Sequence, residues 1–256
     1  MLPSKFLGKN DNPAFLPTLI RSLWFWSAAT VLFLVWIPSM ALVRLTDRDP
    51  FLRRSGRFLR VLGRMFTRVY PGRIRLSGVE NIDRAKAYVI VSNHQSLADG
   101  PLSAHIPLDQ KSLLRVTLLD IPVVGWLLGM SGEIPIDRSN PRTAARGLQE
   151  CARHLRAGCS VLIFPEGTRS KDGELLPYND TPFRLAIKEG APVLPVVLEG
   201  AGKALPKKSL LFTSGEDIHV RILPPIAVEG INPKESGALR DQVWNLVNGE
   251  LQRLRG

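Results

Sequence analysis

The feature that most constrains this chain is an uninterrupted apolar run near its beginning. Residues 23–43 read LWFWSAATVLFLVWIPSMALV and carry no charge. A helix of this length extends about 31 Å at 1.5 Å per residue, which matches the hydrocarbon core of a bilayer. Trp24, Trp26 and Trp36 are suited to the membrane–water interface, whereas Pro38 predicts a kink or an early end of the regular helix. We therefore predict a membrane-associated helix that either crosses the bilayer or re-enters one leaflet.

Two other interpretations of this run stay open. A cleaved signal peptide usually has an apolar region of about 7–15 residues. Here the run is longer and 22 residues precede it, although Ser39-Met40-Ala41 resembles a cleavage site. A buried helix of a soluble protein is usually shorter and has a polar face. The membrane helix fits the sequence better than either alternative.

The segment that follows is predicted to be an amphipathic helix with one positively charged face. In residues 51–70 arginines recur every three or four residues, apolar residues fill most of the other face, and no acidic residue occurs. The arginines of this stripe are Arg53, Arg57, Arg60, Arg64 and Arg68. Such a helix can lie among the headgroups of an anionic leaflet, and the arginines predict that this side is cytoplasmic. We predict that residues 1–70 form a membrane anchor built from both helices.

The overall charge also indicates an anionic partner. The chain has 34 Lys plus Arg against 23 Asp plus Glu, a net charge of +11. Because the arginines concentrate beside the apolar run and are not interleaved with stacking aromatic residues, the sequence favours anionic lipid over nucleic acid. The two cysteines, Cys151 and Cys159, are not spaced as metal ligands or as a disulfide framework, which is typical of a reducing compartment.

From residue 71 onward, short apolar runs alternate with helical stretches. The predicted strands are 74–76, 88–92, 113–117, 133–136, 161–164, 193–198 and 218–223, and the predicted helices are 98–105, 123–130, 143–156, 182–188 and 234–254. This alternation predicts an α/β domain over residues 71–256, with a mixed, partly parallel sheet flanked by helices. Functional residues of such a domain gather where parallel strands end.

One candidate pair lies at such a strand end. In NHQSLADG, residues 93–100, His94 follows a predicted strand and Asp99 comes five residues later. Five helical residues turn about 140° beyond one revolution, so the two side chains meet only if the chain turns into a helix after His94. An aspartate bonded to Nδ1 would leave Nε2 free to take a proton. Because this spacing often arises by chance, a structural histidine is the alternative.

Three further segments, PIDRS (135–139), FPEGTRS (164–170) and APVLPVV (191–197), lie at or within predicted strands. Their candidate binding residues are Arg138, Glu166, Gly167, Thr168, Arg169 and Pro195. The glycine of FPEGTRS lets the backbone turn tightly, and the arginine offers a planar fork suited to phosphate. Each segment alone is also compatible with an ordinary loop or edge strand.

In this order, HQSLAD, PIDRS, FPEGTRS and APVLPVV resemble the glycerolipid acyltransferase family, in particular the bacterial 1-acylglycerol-3-phosphate acyltransferases. The resemblance covers about residues 75–200. It implies that an acyl group moves from a thioester to the free hydroxyl of a lysolipid without an acyl-enzyme. The implied acceptor is 1-acylglycerol 3-phosphate, giving phosphatidic acid. His94 would be the general base, oriented by Asp99.

The resemblance also implies the remaining roles and partners. Arg138 and residues 166–169 match acceptor-binding motifs, and Pro195 matches the proline of the last motif. The implied donor is acyl-CoA or acyl-acyl carrier protein, with no metal and no bound cofactor. The implied location is the bacterial inner membrane, with the active site facing the cytoplasm.

The sequence departs from the family in two places. After FPEGTRS it reads PYNDTPF (177–183) where lysines are common, and RVTLLDIP (115–122) replaces a Lys-Glu pair. These changes leave open another acceptor, such as a lyso-aminolipid or a lysophospholipid with a larger headgroup. A non-catalytic lipid-binding protein and a thioester hydrolase are the remaining alternatives. The pair of His94 and Asp99 argues against the first, and the candidate arginines argue against the second.

Overall fold

The computed structural model describes residues 15–207, 209–213 and 215–256. Residues 1–14 of the predicted anchor lie outside the described residues. The helices are α1 (Phe15–Thr46), α2 (Arg53–Val69), α3 (Asp99–Ser103), α4 (Val124–Ser131), α5 (Pro141–Arg156), α6 (Thr181–Glu189), α7 (Ala201–Ala204) and α8 (Ser236–Arg255). The strands are β1 (Ile74–Ser77), β2 (Val89–Ser92), β3 (Gln110–Arg115), β4 (Ile134–Ile136), β5 (Ser160–Ile163), β6 (Val193–Glu199) and β7 (Ile218–Ile222).

The strands form one sheet in the order β1-β7-β6-β2-β5-β3-β4. The five strands from β6 to β4 are parallel neighbours, whereas β7 is antiparallel to β6 and β1 is parallel to β7. The predicted mixed, partly parallel sheet flanked by helices is therefore confirmed. Because all five parallel strands end at the same edge, the loops that follow them meet there.

Both faces of the central strands are buried. In β2, Val89 and Val91 join a core that includes side chains of α5, α6 and α8, whereas Ile90 joins a second core that includes Phe25 of α1. A strand covered on both faces reads as a continuous apolar run instead of an alternating one. This explains why the strands around the site were recognisable in the sequence.

Two elements differ from the sequence prediction. Strand β3 begins at Gln110, before the predicted start at 113. The sequence did not reveal this start, because its residues are polar and give no apolar signal, although Lys111 is almost completely buried. The short helix α7 was not predicted; it follows Gly200, whose φ of 90° turns the chain sharply after β6. Both differences come from tertiary surroundings, which override local sequence preference.

Helix α1 continues through Pro38 to Thr46, so the proline does not end it as the sequence allowed. It is long and apolar enough to cross a membrane, with a mean hydropathy of 1.9 in its most apolar 18-residue window. Only 11% of that window is buried, which distinguishes α1 from the core helix of a soluble protein. Whether it spans the bilayer or re-enters one leaflet stays a prediction.

The arginine stripe of α2 bonds to the α/β body. Asp109 accepts hydrogen bonds from Arg57 (Nε to Oδ1, 2.8 Å) and from Arg60 (Nη2 to Oδ1, 2.6 Å). Arg53 and Arg64 donate to backbone carbonyls that follow α5 and α3. These four arginines hold α2 against the rest of the protein, and the predicted contact of the stripe with lipid headgroups stays a prediction.

The apolar side of α2 packs between α1 and α4. Leu62 is buried with Trp36 and Met40 of α1 and Leu127 of α4, and the Trp36 ring stacks on Phe58 at a centroid distance of 4.8 Å. Helix α2 therefore joins α1 to the sheet by apolar packing on one side and by charged hydrogen bonds on the other.

We predict that Asp109→Ala destabilises the protein by about 2–3 kcal/mol, somewhat less than the loss of a fully buried ion pair. The substitution leaves the largely buried guanidinium of Arg60 without its carboxylate. The matched control is Asp241→Ala, because Asp241 is an exposed aspartate bonded to Arg240; its loss should change the stability far less. Chemical denaturation in detergent measures both, and equal losses would show that Asp109 does not hold α2.

Candidate active site

The His94 side chain is held where β2 ends. Its Nδ1 lies 2.7 Å from Oδ2 of Asp99, the fully buried first residue of α3. The same Oδ2 accepts the backbone N–H groups of Gln95 (2.7 Å) and Ser96 (2.8 Å). The imidazole stacks on Phe164 with a centroid distance of 4.2 Å. The predicted contact between His94 and Asp99 is therefore present, and it depends on the predicted turn into a helix.

This contact determines which ring nitrogen of His94 is free. Because Asp99 acts as the acceptor, Nδ1 carries the proton and Nε2 keeps its lone pair. The side chain is 24% exposed, and within the described part of the chain Nε2 has no hydrogen-bond partner. The ring can therefore accept a proton from a molecule bound beside it.

Asn93 fixes the start of the same loop. Its side-chain amide donates to the carbonyl of Leu198 and accepts the N–H of Leu198, both at 2.8 Å. These two bonds imitate the pairing of one more strand residue, so the segment before His94 is tied to β6. The sequence shows Asn93 directly after a strand, but its partner is 105 residues away and could not be predicted.

Both carboxylate oxygens of Glu166 are used inside the protein. Oε1 accepts the backbone N–H of His94 at 2.6 Å, and Oε2 accepts that of Leu176 at 3.1 Å. Burial raises the pKa of this carboxyl group to about 7, although the two N–H donors act in the opposite direction. The family resemblance implies a substrate-binding role for Glu166, whereas its contacts connect the loop of His94 with the segment around Leu176.

Gly167 and Arg138 meet at the edge of the sheet. Gly167 has a φ of +71°, and a Cβ atom at this position would lie 1.8 Å from Nη1 of Arg138. A side chain here would therefore strain the backbone and displace the guanidinium. The structure thus brings together the loop after β4 and the loop after β5, as their positions at strand ends predicted.

Positive charge without a counter-charge collects at this edge. Burial and the neighbouring guanidinium of Arg115 lower the pKa of Arg138. Among the described residues, Arg138 and Arg169 have no carboxylate partner, whereas Arg115 lies close enough to Asp137 to help lower the pKa of that carboxyl group. Guanidinium groups without a carboxylate partner are suited to bind an anion such as phosphate.

Lys207 is a member of the site that sequence reasoning missed. Its ammonium group donates to Oγ1 of Thr168 at 3.3 Å and to the backbone carbonyl of Arg169. Lys207 lies in the loop after α7 and adds a positive charge beside Thr168. No local pattern marks it, because the contact joins loops 39 residues apart.

Pro195 has no exposed side chain that could contact a substrate directly. It is buried within β6 and pairs with Val91 of β2.

Among the described residues, no group of three His, Cys, Asp or Glu side chains is close enough to hold a metal ion.

Comparisons with known proteins agree with one another. A family model described as "Acyltransferase" matches residues 73–199. The human 1-acyl-sn-glycerol-3-phosphate acyltransferase alpha is 31% identical over 240 residues, covering 88% of this chain and 83% of the human protein. The chloroplastic 1-acyl-sn-glycerol-3-phosphate acyltransferase BAT2 of Brassica napus is 35% identical over 201 residues, and this chain spans 58% of its length. This chain spans 50% of the length of a second chloroplastic relative, from Arabidopsis thaliana.

A solved structure also resembles the whole chain. The crystal structure of the 1-acyl-sn-glycerophosphate acyltransferase PlsC from Thermotoga maritima superposes with a TM-score of 0.81 at 26% sequence identity. The match covers 95% of this chain and 98% of that one.

We predict that Glu166 makes the stability of the protein depend on pH. Its pKa is about 7 in the folded chain and near 4.5 when unfolded, so between these values the folded state holds a proton that the unfolded state releases. The stability contributed by this carboxyl group therefore falls as pH rises through this window. The free energy of unfolding of wild type, relative to that of Glu166→Gln, should therefore fall by on the order of 2 kcal/mol between pH 5 and pH 8.

Denaturation in detergent at both pH values measures this change. Glu229→Gln, which replaces an exposed glutamate, is the control and should differ from wild type by the same small amount at each pH. A constant difference between wild type and Glu166→Gln would contradict the prediction.

Proposed function

The chain belongs to the acyltransferase family that includes the 1-acyl-sn-glycerol-3-phosphate acyltransferases, and on this premise we propose that it acylates 1-acyl-sn-glycerol 3-phosphate to give phosphatidic acid. The acyl group comes from a thioester. The observation that carries the proposal is the arrangement at one sheet edge, where the free Nε2 of His94 lies on the same side as the unneutralised Arg138.

In the proposed reaction His94 acts as the general base. Its Nε2 takes the proton of the acceptor hydroxyl while that oxygen forms a bond to the thioester carbonyl carbon. The carbon–sulfur bond then breaks, and the proton passes from Nε2 to the departing sulfur, leaving an ester and a free thiol. Asp99 keeps Nδ1 protonated and stabilises the imidazolium that forms between these steps.

The transfer is proposed to be direct, without an acyl-enzyme. Both cysteines are buried, and burial raises the pKa of Cys151 to about 12 and of Cys159 to about 11. Thiols with such pKa values are poor nucleophiles at neutral pH. The acceptor hydroxyl is therefore the nucleophile that His94 serves, and this chemistry needs no metal and no bound cofactor.

We assign the phosphate of the acceptor to the arginines of the sheet edge. Arg138 belongs to the motif PIDRS and Arg169 to the motif FPEGTRS. Arg115 lies at the end of β3 beside Arg138. Guanidinium groups bind phosphate through paired hydrogen bonds. The ammonium of Lys207 beside Thr168 adds charge and supports a phosphate-bearing acceptor in place of a neutral one.

The proposal extends to the membrane and to the donor. The exposed apolar window of α1 supports attachment to a bilayer, where the acceptor and product both reside because of their acyl chains. We propose the bacterial inner membrane, with the site on the cytoplasmic side. The donor is acyl-CoA or acyl-acyl carrier protein.

We predict that His94→Ala lowers kcat by at least about 10²-fold and that Asp99→Asn causes a loss of the same order, because the amide no longer fixes the ring tautomer. Activity is measured as acyl transfer by purified protein in lipid vesicles, with both donors and a panel of lysolipids. His219→Ala, in β7 and two strands from β2, is the control and should keep wild-type activity. Undiminished activity of His94→Ala would remove His94 as the base.

We predict that Arg138→Ala raises KM for 1-acylglycerol 3-phosphate by about 10- to 100-fold, the amount expected from one lost charge-assisted hydrogen bond to phosphate. A 1-acylglycerol without phosphate, used as a second acceptor at saturating donor, should respond little to the same substitution. If both acceptors respond alike, or if wild type prefers a lysolipid with a larger headgroup, the assignment of the phosphate to this arginine fails.

A further inference from the structure

The connection from β3 into α4 carries several exposed apolar side chains. Residues 116–130 read VTLLDIPVVGWLLGM, with Asp120 as their single charge. Four large apolar side chains of this segment are between 36% and 59% exposed: Val116, Ile121, Val124 and Trp126. Single exposed apolar residues are common, but a cluster in one short segment marks an interaction surface.

The backbone holds these side chains in place. Val123 has φ 68° and ψ −58°, and the N–H of Val124 donates to the carbonyl of Pro122 at 2.8 Å. This is a γ-turn with positive φ, a conformation that a β-branched residue rarely adopts. A Cβ atom on Gly125 would lie 2.0 Å from the carbonyl oxygen of Leu119. The segment is therefore a tightly folded turn, and the exposure of its apolar side chains is built into the fold.

The exposed cluster adjoins the apolar helix α1. Leu127, the residue after Trp126, is buried against Trp36 and Met40 of α1, and Val123 packs on the same cluster. Helix α1 leaves its own outer side chains exposed, among them Leu34. One apolar surface therefore runs from α1 onto α4.

We propose that residues 116–130 form a second membrane contact, inserted into the interfacial region of the leaflet that holds α1. A bilayer is the partner because the segment combines aliphatic side chains, one tryptophan and a single acid, as interfacial segments do. The exposed guanidinium of Arg115 at its start suits lipid phosphates.

This inference rests on the membrane attachment proposed above, and it goes further because it assigns a lipid contact to the α/β body itself. Two attachment points, α1 and the turn before α4, fix how the body lies on the leaflet. Because β3 ends at the same edge of the sheet as β2, the segment begins on the side where His94 lies. The reaction edge would therefore face the lipid from which the acceptor comes.

The test uses the full chain with one introduced cysteine. Ile121→Cys can be labelled selectively with a fluorescent probe, because Cys151 and Cys159 are buried. The control is Leu246→Cys on α8, where the native leucine is 45% exposed and belongs to a helix on the other side of the sheet. Both proteins are reconstituted into phosphatidylcholine–phosphatidylglycerol vesicles with and without spin-labelled lipid.

We expect spin-labelled lipid to quench the probe at residue 121 at least about twofold more than the probe at residue 246, because interfacial segments bury their apolar face about 5–10 Å deep. Iodide in the aqueous phase should show the reverse order. A second labelled variant, Trp126→Cys, repeats the measurement should Ile121→Cys fail to fold.

Three outcomes would overturn the proposal. Equal lipid quenching at 121 and 246, in protein that floats with the vesicles, would show that residues 116–130 do not contact the membrane and that α1 alone is the anchor. Protein that does not float would contradict both this contact and the membrane attachment of the proposed function. Protection of residue 121 from iodide without lipid quenching, increasing with the protein-to-lipid ratio, assigns the surface to a second copy of the chain.

Discussion

The arrangement of the site depends on one buried carboxylate oxygen. Oδ2 of Asp99 accepts hydrogen bonds from Gln95, Ser96 and the ring of His94, so a single atom sets the shape of the loop and fixes the tautomer. A buried carboxylate is costly unless such donors satisfy it. The loop therefore has one favourable conformation, and the imidazole keeps its orientation without help from a bound molecule.

Much of the fold was readable from the sequence because the central strands are buried on both faces and form continuous apolar runs. The meeting of His94 and Asp99 was also predictable, since it needed only a local turn. The contact between Arg138 and Gly167 could be expected in outline from their strand ends, but its closeness is a tertiary fact. The internal use of Glu166 and the approach of Lys207 depend on distant loops, which no local pattern encodes.

Helix α2 shows why an amphipathic pattern does not by itself identify a membrane-surface helix. Its periodicity predicts one charged face, but that face can be satisfied by lipid headgroups or by protein carboxylates. Here Asp109, placed directly before β3, accepts two of the arginines. The apolar face then meets α1 and α4. Helix α2 is thus a layer between α1 and the sheet, and the position of the site relative to α1 follows from it.

The pairing of Asn93 with Leu198 has a consequence for the motion of the site. Since the N–H of Leu198 is bonded to a side chain of the loop and not to a neighbouring strand, its exchange with solvent hydrogen is possible only when that loop detaches from β6. Protection of this one amide therefore reports the opening of the His94 loop, separately from the unfolding of the sheet. The hydrogen-exchange rate of this amide, near the end of β6, therefore measures how rigidly the protein holds His94.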